Sequence, residues 1–310
     1  MLRLELRGKR RSLLVARIVP VTGHGEMHCH DSRRLRRLQL KPSQAPVVSR
    51  STPERKIRMK YLFTILGALL LLVISCSKPV TLDPPTVSYT PIDDGTKLQL
   101  TWLAVTNATE YHVYVDGVKT VLASGNYSFD VTGPAKLIEV SAVAASTEGD
   151  RWSLATAVQK TANLTVYTRA DAQQINHAFY FDATGAAQAI PLSRPSDIDF
   201  MVDTSQTVTN IELRSPDSCS PQYNTKSNSS VDAGVANLAD LTIAPAPGVY
   251  SKVRTISLNA VYSLWLDPGA NGWTSDDHVA KIKVEAISGT AVTFTVGYQK
   301  VAGLRWLMSD

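Results

Sequence analysis

The chain has 310 residues, of which 44% are hydrophobic and 19% charged, a composition typical of folded globular domains. Its net charge of +5 has its origin near the N-terminus, because 16 of the 32 basic residues but only 4 of the 27 acidic ones lie in residues 1–75. Residues 76–310 therefore carry 16 basic and 23 acidic residues, a net charge of −7. That balance excludes a nucleic-acid partner for this larger part of the chain.

Residues 1–58 contain basic clusters, such as Arg33, Arg34, Arg36 and Arg37, and no periodic element. One interpretation is a disordered extension of the gene model, with translation starting at Met59. The alternative is a nucleic-acid-binding arm, because runs of Lys and Arg neutralise phosphates. The segment that follows favours the first interpretation, since an exported protein has little use for such an arm.

Residues 59–75 have the pattern of a secretory signal peptide. Arg55, Lys56, Arg58 and Lys60 form a basic lead-in, and the run Tyr61–Ile74 contains no charged residue. The run is shorter than the roughly 20 apolar residues of a membrane-spanning helix. A short apolar segment behind a positive flank and closed by small residues predicts a cleaved signal.

The end of this segment, Val73-Ile74-Ser75-Cys76, resembles the bacterial lipobox. The resemblance implies that the Cys76 thiol receives a diacylglyceryl group and that the chain is cut before it. Residues 76–85 are then the lipidated cysteine and an extended tether, and the membrane is a partner through the lipid anchor. Ser77 is not the aspartate associated with retention at the inner membrane, so we expect the outer membrane of a bacterial cell envelope.

Residues 86–160 show the alternation of an antiparallel β-sandwich. The predicted strands are Lys97–Trp102, Glu110–Val115, Asn126–Val131, Lys136–Val143 and Ser153–Gln159, and Asp116-Gly117 marks a hairpin turn. His112 lies on the outer face of its strand and is expected to be exposed.

The stretch LTWLAVTNATEYHVYVDG, followed by IEVSAVA, resembles a fibronectin type III domain over residues 84–160. The resemblance implies a buried Trp102 packed against Tyr111. Lys136 takes the place of the family's usual corner tyrosine. The family is a scaffold and implies no catalytic residues.

Residues 163–310 predict a second β domain, so the fold class is all-β, a fibronectin type III-like sandwich followed by a second β-rich domain. Predicted strands are Ala178–Asp182, Asp197–Val202, Thr207–Leu213, Val261–Leu266, Val279–Ile287 and Ala291–Tyr298. Residues 214–248 are predicted to be irregular, with one short helical turn within Ala233–Leu241. The tail, GLRWLMSD, is expected to finish the sheet, with Trp306 in the core.

The segments FYFDATG, DIDFMV and DHVAKIKVEAISGTAVTFTVGYQ are similar to the HmuY family of haem-binding lipoproteins. Members bind haem through two axial histidines, neither of which has a match here. His177 and His278 are the candidates that the residues themselves offer, because two neutral imidazoles can clamp a haem iron. Ordinary loop-edge histidines are the alternative.

Other candidate sites are weaker. Asp197 and Asp199, with Asp182 or Asp203, could bind Ca²⁺, although solvated strand-edge carboxylates are the better interpretation. Trp273, in the polar loop DPGANGWTSDD, is a candidate for stacking on a sugar or porphyrin. Cys219 has no basic neighbour in sequence and is expected to be inert.

Catalytic motifs are absent from the sequence: there is no GxSxG, HExxH, CxxC or glycine-rich phosphate loop. We therefore expect a non-enzymatic envelope lipoprotein with a binding or adhesion role. The alternatives are haem capture by the second domain and a carbohydrate-binding or carbohydrate-processing accessory role, so the extracellular ligand is a glycan, haem or another molecule.

Overall fold

The computed structural model describes residues 82–204 and 210–309. The predictions for residues 1–58, for the signal at 59–75 and for lipidation at Cys76 lie outside the described residues. Within those residues the protein is all-β, with two short 3₁₀ turns as its helical elements. None of the described helices is long and apolar enough to cross a membrane.

Seven strands form the first sandwich. They are β1 (Val87–Ile92), β2 (Lys97–Trp102), β3 (Glu110–Val115), β4 (Val118–Ala123), β5 (Ser128–Val131), β6 (Leu137–Ala144) and β7 (Thr147–Ala155). One sheet has the order β1-β2-β5 and the other β4-β3-β6-β7, with all pairs antiparallel. Alternation decides which side chains enter the core, and the ring centroids of Trp102 and Tyr111 lie 5.6 Å apart there.

Ten strands form the second sandwich. They are β8 (Gln159–Tyr167), β9 (Asn176–Phe181), β10 (Ala187–Pro191), β11 (Phe200–Thr204), β12 (Ile211–Arg214), β13 (Ser229–Asp232), β14 (Val253–Thr255), β15 (Val261–Leu266), β16 (His278–Ser288) and β17 (Ala291–Tyr298). The sheets have the orders β10-β9-β11-β12-β14 and β13-β15-β16-β17-β8. Between them lies a core that includes Phe179, Phe200, Tyr262 and Phe294.

Loops cover the outer faces of the second sandwich. One face is covered by the segment that contains the 3₁₀ turn Leu238–Asp240, which confirms the short helical turn predicted within Ala233–Leu241. Lys281 is fully buried beneath it and donates to the carbonyl oxygens of Leu238, at 2.8 Å, and Leu241, at 3.1 Å. Burial lowers the pKa of Lys281 to about 8. The covering segment is thus held to the sheet by a buried ammonium group.

The prediction of a strand over Ser153–Gln159 was wrong. β7 ends at Ala155, residues 156–158 cross from one sandwich to the other, and Gln159 begins β8. The crossing is fixed by polar contacts: Thr156 Oγ1 donates to Ala135 O at 2.6 Å, and Val158 N donates to Met308 O at 2.8 Å. The sequence pattern does not reveal this change of sheet, because apolar residues continue along the segment and pack partly against the first sandwich and partly against the second.

The tail, residues 299–309, does not extend the second sandwich as expected. Trp306 is fully buried, but it packs with Val301 and Leu304 into the core of the first sandwich. Its indole Nε1 donates to Thr96 O at 2.8 Å, in the turn between β1 and β2. The last residues of the chain therefore complete the core that the first strands begin.

Candidate functional site

A groove lies at the junction of the two sandwiches and contains Trp273, the aromatic residue singled out from the sequence. Its volume is about 260 Å³. The lining residues come from the β1–β2 turn, the loop after β15 and the tail: Pro91, Ile92, Asp93, Asp94, Gly95, Trp273, Thr274, Ser275 and Gly303. Both sandwiches are needed to form it.

Two buried carboxylates shape the loop that carries Trp273. Asp267 accepts the backbone N–H groups of Asn271, at 3.2 Å, and Gly272, at 3.1 Å. Asp277 accepts the N–H of Thr274 at 2.8 Å and the indole N–H of Trp265 at 3.2 Å. Because the carboxylates are saturated by the loop itself, they position Trp273 rather than offer ligands.

The ring of Trp273 is half-buried. It meets Trp265 edge-on, with centroids 6.1 Å apart, and packs against a small apolar cluster that includes Val279 and Leu307. Part of the indole therefore belongs to the core, although it comes from a polar loop. The rest of the indole remains accessible in the groove, where an apolar ring surface lies beside hydroxyl and carboxylate groups.

The opposite wall of the groove is a tight turn. Asp93, Asp94 and Gly95 follow one another with φ of 51°, 53° and 78°. A Cβ at Gly95 would meet the carbonyl oxygen of Gly303 at 2.2 Å, so only glycine fits there. This close approach docks the turn on the tail and fixes the wall that faces Trp273.

The junction behind the groove is held by buried polar side chains. Gln299 donates to Thr156 O at 2.9 Å and Trp306 O at 2.7 Å, and accepts from Val301 N at 2.9 Å. Arg305 reaches Ala244 O through Nε at 3.0 Å and Asp94 O through Nη1 at 3.4 Å. Satisfied buried networks of this kind specify one arrangement, so the two sandwiches form a rigid junction.

His177 and His278, the candidate haem ligands, lie at opposite ends of the β8–β17 ladder. His177 Nδ1 bonds Thr168 O at 3.0 Å beyond the end of β8, and His278 Nδ1 bonds Gln299 O at 3.0 Å beyond the end of β17. The register pairs Tyr167 with Ala291, so the two ends are seven residues of β17, roughly 23 Å, apart. The structure does not bring the two imidazoles to one iron.

The four aspartates considered for Ca²⁺ do not converge either. Asp199 is buried and pairs with Lys226 Nζ at 2.8 Å, Asp203 pairs with Arg169 at 3.0 Å, and Asp197 pairs with Arg194. Asp182 instead caps its own turn by accepting from Thr184. Asp199 and Asp203 are thus not solvated strand-edge carboxylates. Within residues 82–204 and 210–309, no three His, Cys, Asp or Glu side chains are grouped to hold a metal ion.

Cys219 is buried against a methionine. Its Sγ lies 3.3 Å from Met201 Sδ and 3.3 Å from Ser215 O. Burial raises the pKa of the Cys219 thiol, with nearby Arg214 and Arg169 opposing the shift. A protonated, enclosed thiol is a poor nucleophile, which fits the expectation of an inert cysteine.

A polar cluster on the outer face of the first sandwich was missed by the sequence analysis. Glu148 accepts hydrogen bonds from Ser141, at 2.8 Å, Tyr114, at 2.8 Å, and Arg151, at 3.0 Å. His112, expected to be exposed, is buried between Glu148, at 3.3 Å, and Glu110, at 3.0 Å. The signal was present in the alternation of Glu110, His112 and Tyr114, but only strand pairing shows what faces them.

This cluster, which we call the Glu148 cluster, is not a nucleophilic triad. Ser141 Oγ donates to Glu148, and both imidazole nitrogens of His112 face carboxylates, so no imidazole faces the hydroxyl as it does in a Ser-His-Asp triad. Desolvation favours the neutral form of Glu148, but hydrogen bonds from Ser141, Tyr114, His112 and Arg151 prevail and lower its pKa to about 2. The cluster therefore holds an ionised carboxylate and stabilises the face of the sheet.

Comparison with known proteins adds no family. No protein-family model matches the chain. A comparison with curated proteins finds no relative either.

Proposed function

We propose that this protein is a lipid-anchored, non-catalytic binding protein of a bacterial cell envelope, and that its ligand occupies the junction groove. The main support for this binding site is the groove itself, which is formed by both sandwiches and exposes part of Trp273. Pockets at domain junctions, with an aromatic surface and a few polar groups, are typical ligand sites.

The lipid anchor and the outer-membrane location rest on the sequence from Met59 to Cys76. The test is metabolic labelling with a fatty acid, followed by mass analysis of the N-terminal peptide. We expect a mature chain that begins at an acylated Cys76 and a Cys76→Ser variant that stays unlabelled and unprocessed. A wild-type chain that is processed without acylation would contradict the anchor.

The resemblance of the first sandwich to a fibronectin type III domain is supported by its sheets. The packing of Trp102 against Tyr111 is what the resemblance implies, and the seven strands divide into sheets of three and four, as in sandwiches of this type. In this proposal the sandwich is a rigid spacer. Its own outer face holds the Glu148 cluster, whose hydrogen bonds are satisfied among its members.

Carbohydrate is the ligand class that the groove favours. The indole of Trp273 offers an apolar face for a sugar ring, while Asp93, Asp94, Thr274 and Ser275 offer polar groups for its hydroxyls. A glycan array on residues 77–310 is the first screen. We expect a hit to be weakened at least tenfold by Trp273→Ala and largely restored by Trp273→Phe, with Trp152→Phe as the remote control.

Haem capture by the second domain is the first alternative from sequence, and the positions of His177 and His278 argue against a bis-histidine site. A hemin titration followed by absorbance tests this. If a saturable Soret band forms, we do not expect it to weaken in both the His177→Ala and the His278→Ala variant. If one histidine variant alone abolished a saturable band, the haem reading would be restored with a single axial ligand.

A further inference from the structure

The end of the first sandwich where the described chain begins carries an exposed apolar rim. Leu103 is 72% exposed and Tyr127 is 41% exposed at this end, where the N–H of Trp102 donates to Tyr127 O at 3.0 Å and the Tyr127 ring meets Tyr111 edge-on with centroids 6.0 Å apart. Leu103 also lines a groove of about 440 Å³ together with Leu82, Asp83, Pro84 and Thr86. We call this surface the base rim: Leu103, Ala104 and Tyr127.

The chain enters the fold at this same surface. Leu82 is buried in the core of the first sandwich, and its carbonyl accepts the N–H of Asp150 at 3.3 Å. A Cβ on Gly149 would lie 2.6 Å from Leu82 Cβ, so the contact is close. Leu82 is therefore fixed at the base, and only the residues before it can act as a tether.

The tether is short. Six residue steps separate Cys76 from Leu82, and a fully extended chain spans at most about 20 Å over that length. If Cys76 carries acyl chains, the base of the sandwich must stay within that distance of the lipid headgroups. The high local concentration that a short tether imposes makes even a weak surface contact persistent.

We propose that the base rim rests on the membrane surface, with Leu103 and Tyr127 in the interfacial region of the bilayer. Leucine supplies apolar area, and tyrosine is a side chain enriched at membrane interfaces. The residues that line the groove include one carboxylate, Asp83, and no Lys or Arg, and the exposed Asp150 adds a second carboxylate beside Leu82, so nothing there attracts anionic headgroups. The surface therefore fits a zwitterionic bilayer, and its contact should not weaken with salt.

This inference rests on the proposed lipidation of Cys76, and its test keeps the two apart. Acylated protein is reconstituted in phosphatidylcholine vesicles with a nitroxide label at Leu103→Cys. The matched control is Val118→Cys: Val118 is 70% exposed and lies at the β3–β4 turn, at the other end of the first sandwich. Protein without an introduced cysteine gives the background from the buried Cys219.

We expect the label at position 103 to collide severalfold more often with oxygen than with a polar nickel complex, relative to the label at 118. The ratio should be unchanged between low and high salt. If the protein is acylated but both labels report an aqueous environment, the contact of the base rim with the membrane is contradicted and the lipid anchor is not. Unacylated protein would overturn both. Spin–spin broadening at 103 that vanishes on dilution with unlabelled protein would show a second copy on the rim instead of lipid.

Discussion

The two sandwiches differ in how their cores are closed. The core of the second sandwich is built from its own strands and the short connections between them, with Phe179, Phe200 and Phe294 at its centre. The core of the first sandwich also contains Val301 and Trp306, which arrive from the far end of the chain. The first sandwich thus depends on residues that follow the second for its completion, and the junction groove lies beside the point where those residues enter the first sandwich.

The two sandwiches also differ in how far their charged clusters are exposed to water. The first sandwich keeps the Glu148 cluster on the outer face of a sheet, where the side chain of Glu148 is 28% exposed. The second encloses Asp199, whose side chain is 10% exposed, while the side chain of its partner Lys226 is 25% exposed. Because Asp199 is more enclosed than Glu148, we expect the second sandwich to be the more sensitive to loss of one partner.

Trp306→Ala should have the largest effect. Removal of a fully buried tryptophan costs about 3–5 kcal/mol of unfolding free energy, and the loss should appear first in the first sandwich. Guanidinium unfolding gives the energy, and limited proteolysis shows which sandwich opens. Trp273→Ala is the matched control and should cost at most about half as much, since its ring is only half-buried. Equal losses for the two variants would mean that the tail is not part of the first core.

Lys226→Met should cause the next largest loss of unfolding free energy. It leaves the Asp199 carboxylate buried without its cation, which costs about 3 kcal/mol at neutral pH. Burial already raises the pKa of Asp199, and loss of Lys226 raises it further. A raised carboxyl pKa means that the folded state takes up a proton first, so the variant should regain stability as the pH falls.

The control for this variant is Lys252→Met. Lys252 pairs with Asp217 at 2.6 Å, but its side chain is 51% exposed, so the loss should be within about 1 kcal/mol. Denaturant midpoints at pH 7 and pH 5 measure both variants. A Lys226→Met variant that is as stable as the control at pH 7 would contradict the buried pair.

Glu148→Gln should have the smallest effect and the clearest pH signature. A pKa lowered from 4.5 to about 2 stabilises the fold above pH 4.5, and this contribution is lost as the pH falls toward 2. After allowance for solvent screening we expect about 1–2 kcal/mol at pH 7. Unfolding curves from pH 7 to pH 2 should converge for variant and wild type. Glu139→Gln, which removes the other carboxylate bound to Arg151 on the same face, is the control and should cost less unfolding free energy at pH 7.

Much of the first sandwich was predictable from sequence, because alternation over β2 and β3 predicts strands, one apolar face and the hairpin at Asp116-Gly117. β1 and β4 were missed: Val87–Ile92 contains a proline, and Val118–Ala123 is largely exposed and has no clear apolar face. Both are edge strands, for which pairing with a neighbour supplies what the local pattern lacks.

Of the candidate site, only one residue could be predicted from the sequence. Trp273 drew attention because an indole stood in a polar loop, but its groove requires Asp93–Gly95, about 180 positions earlier in the chain. The prediction of a haem site failed for the same reason: His177 and His278 each have the chemistry of a ligand, but the sequence does not show that they lie far apart. A sequence pattern reports on neighbours within a few residues, and a site is made of side chains that pairing and packing bring together.

The sequence by itself determined the two-residue alternation, the turn chemistry and the acidic balance of residues 76–310, and it predicts an export signal over residues 59–75. Tertiary structure alone decided that Trp306 fills the core of the first sandwich, that Glu148 gathers His112 and Tyr114, and that the two histidines stay apart. The physical reason is that alternation fixes which face a side chain occupies, while the partner on that face is set by strand order, register and the path of the tail.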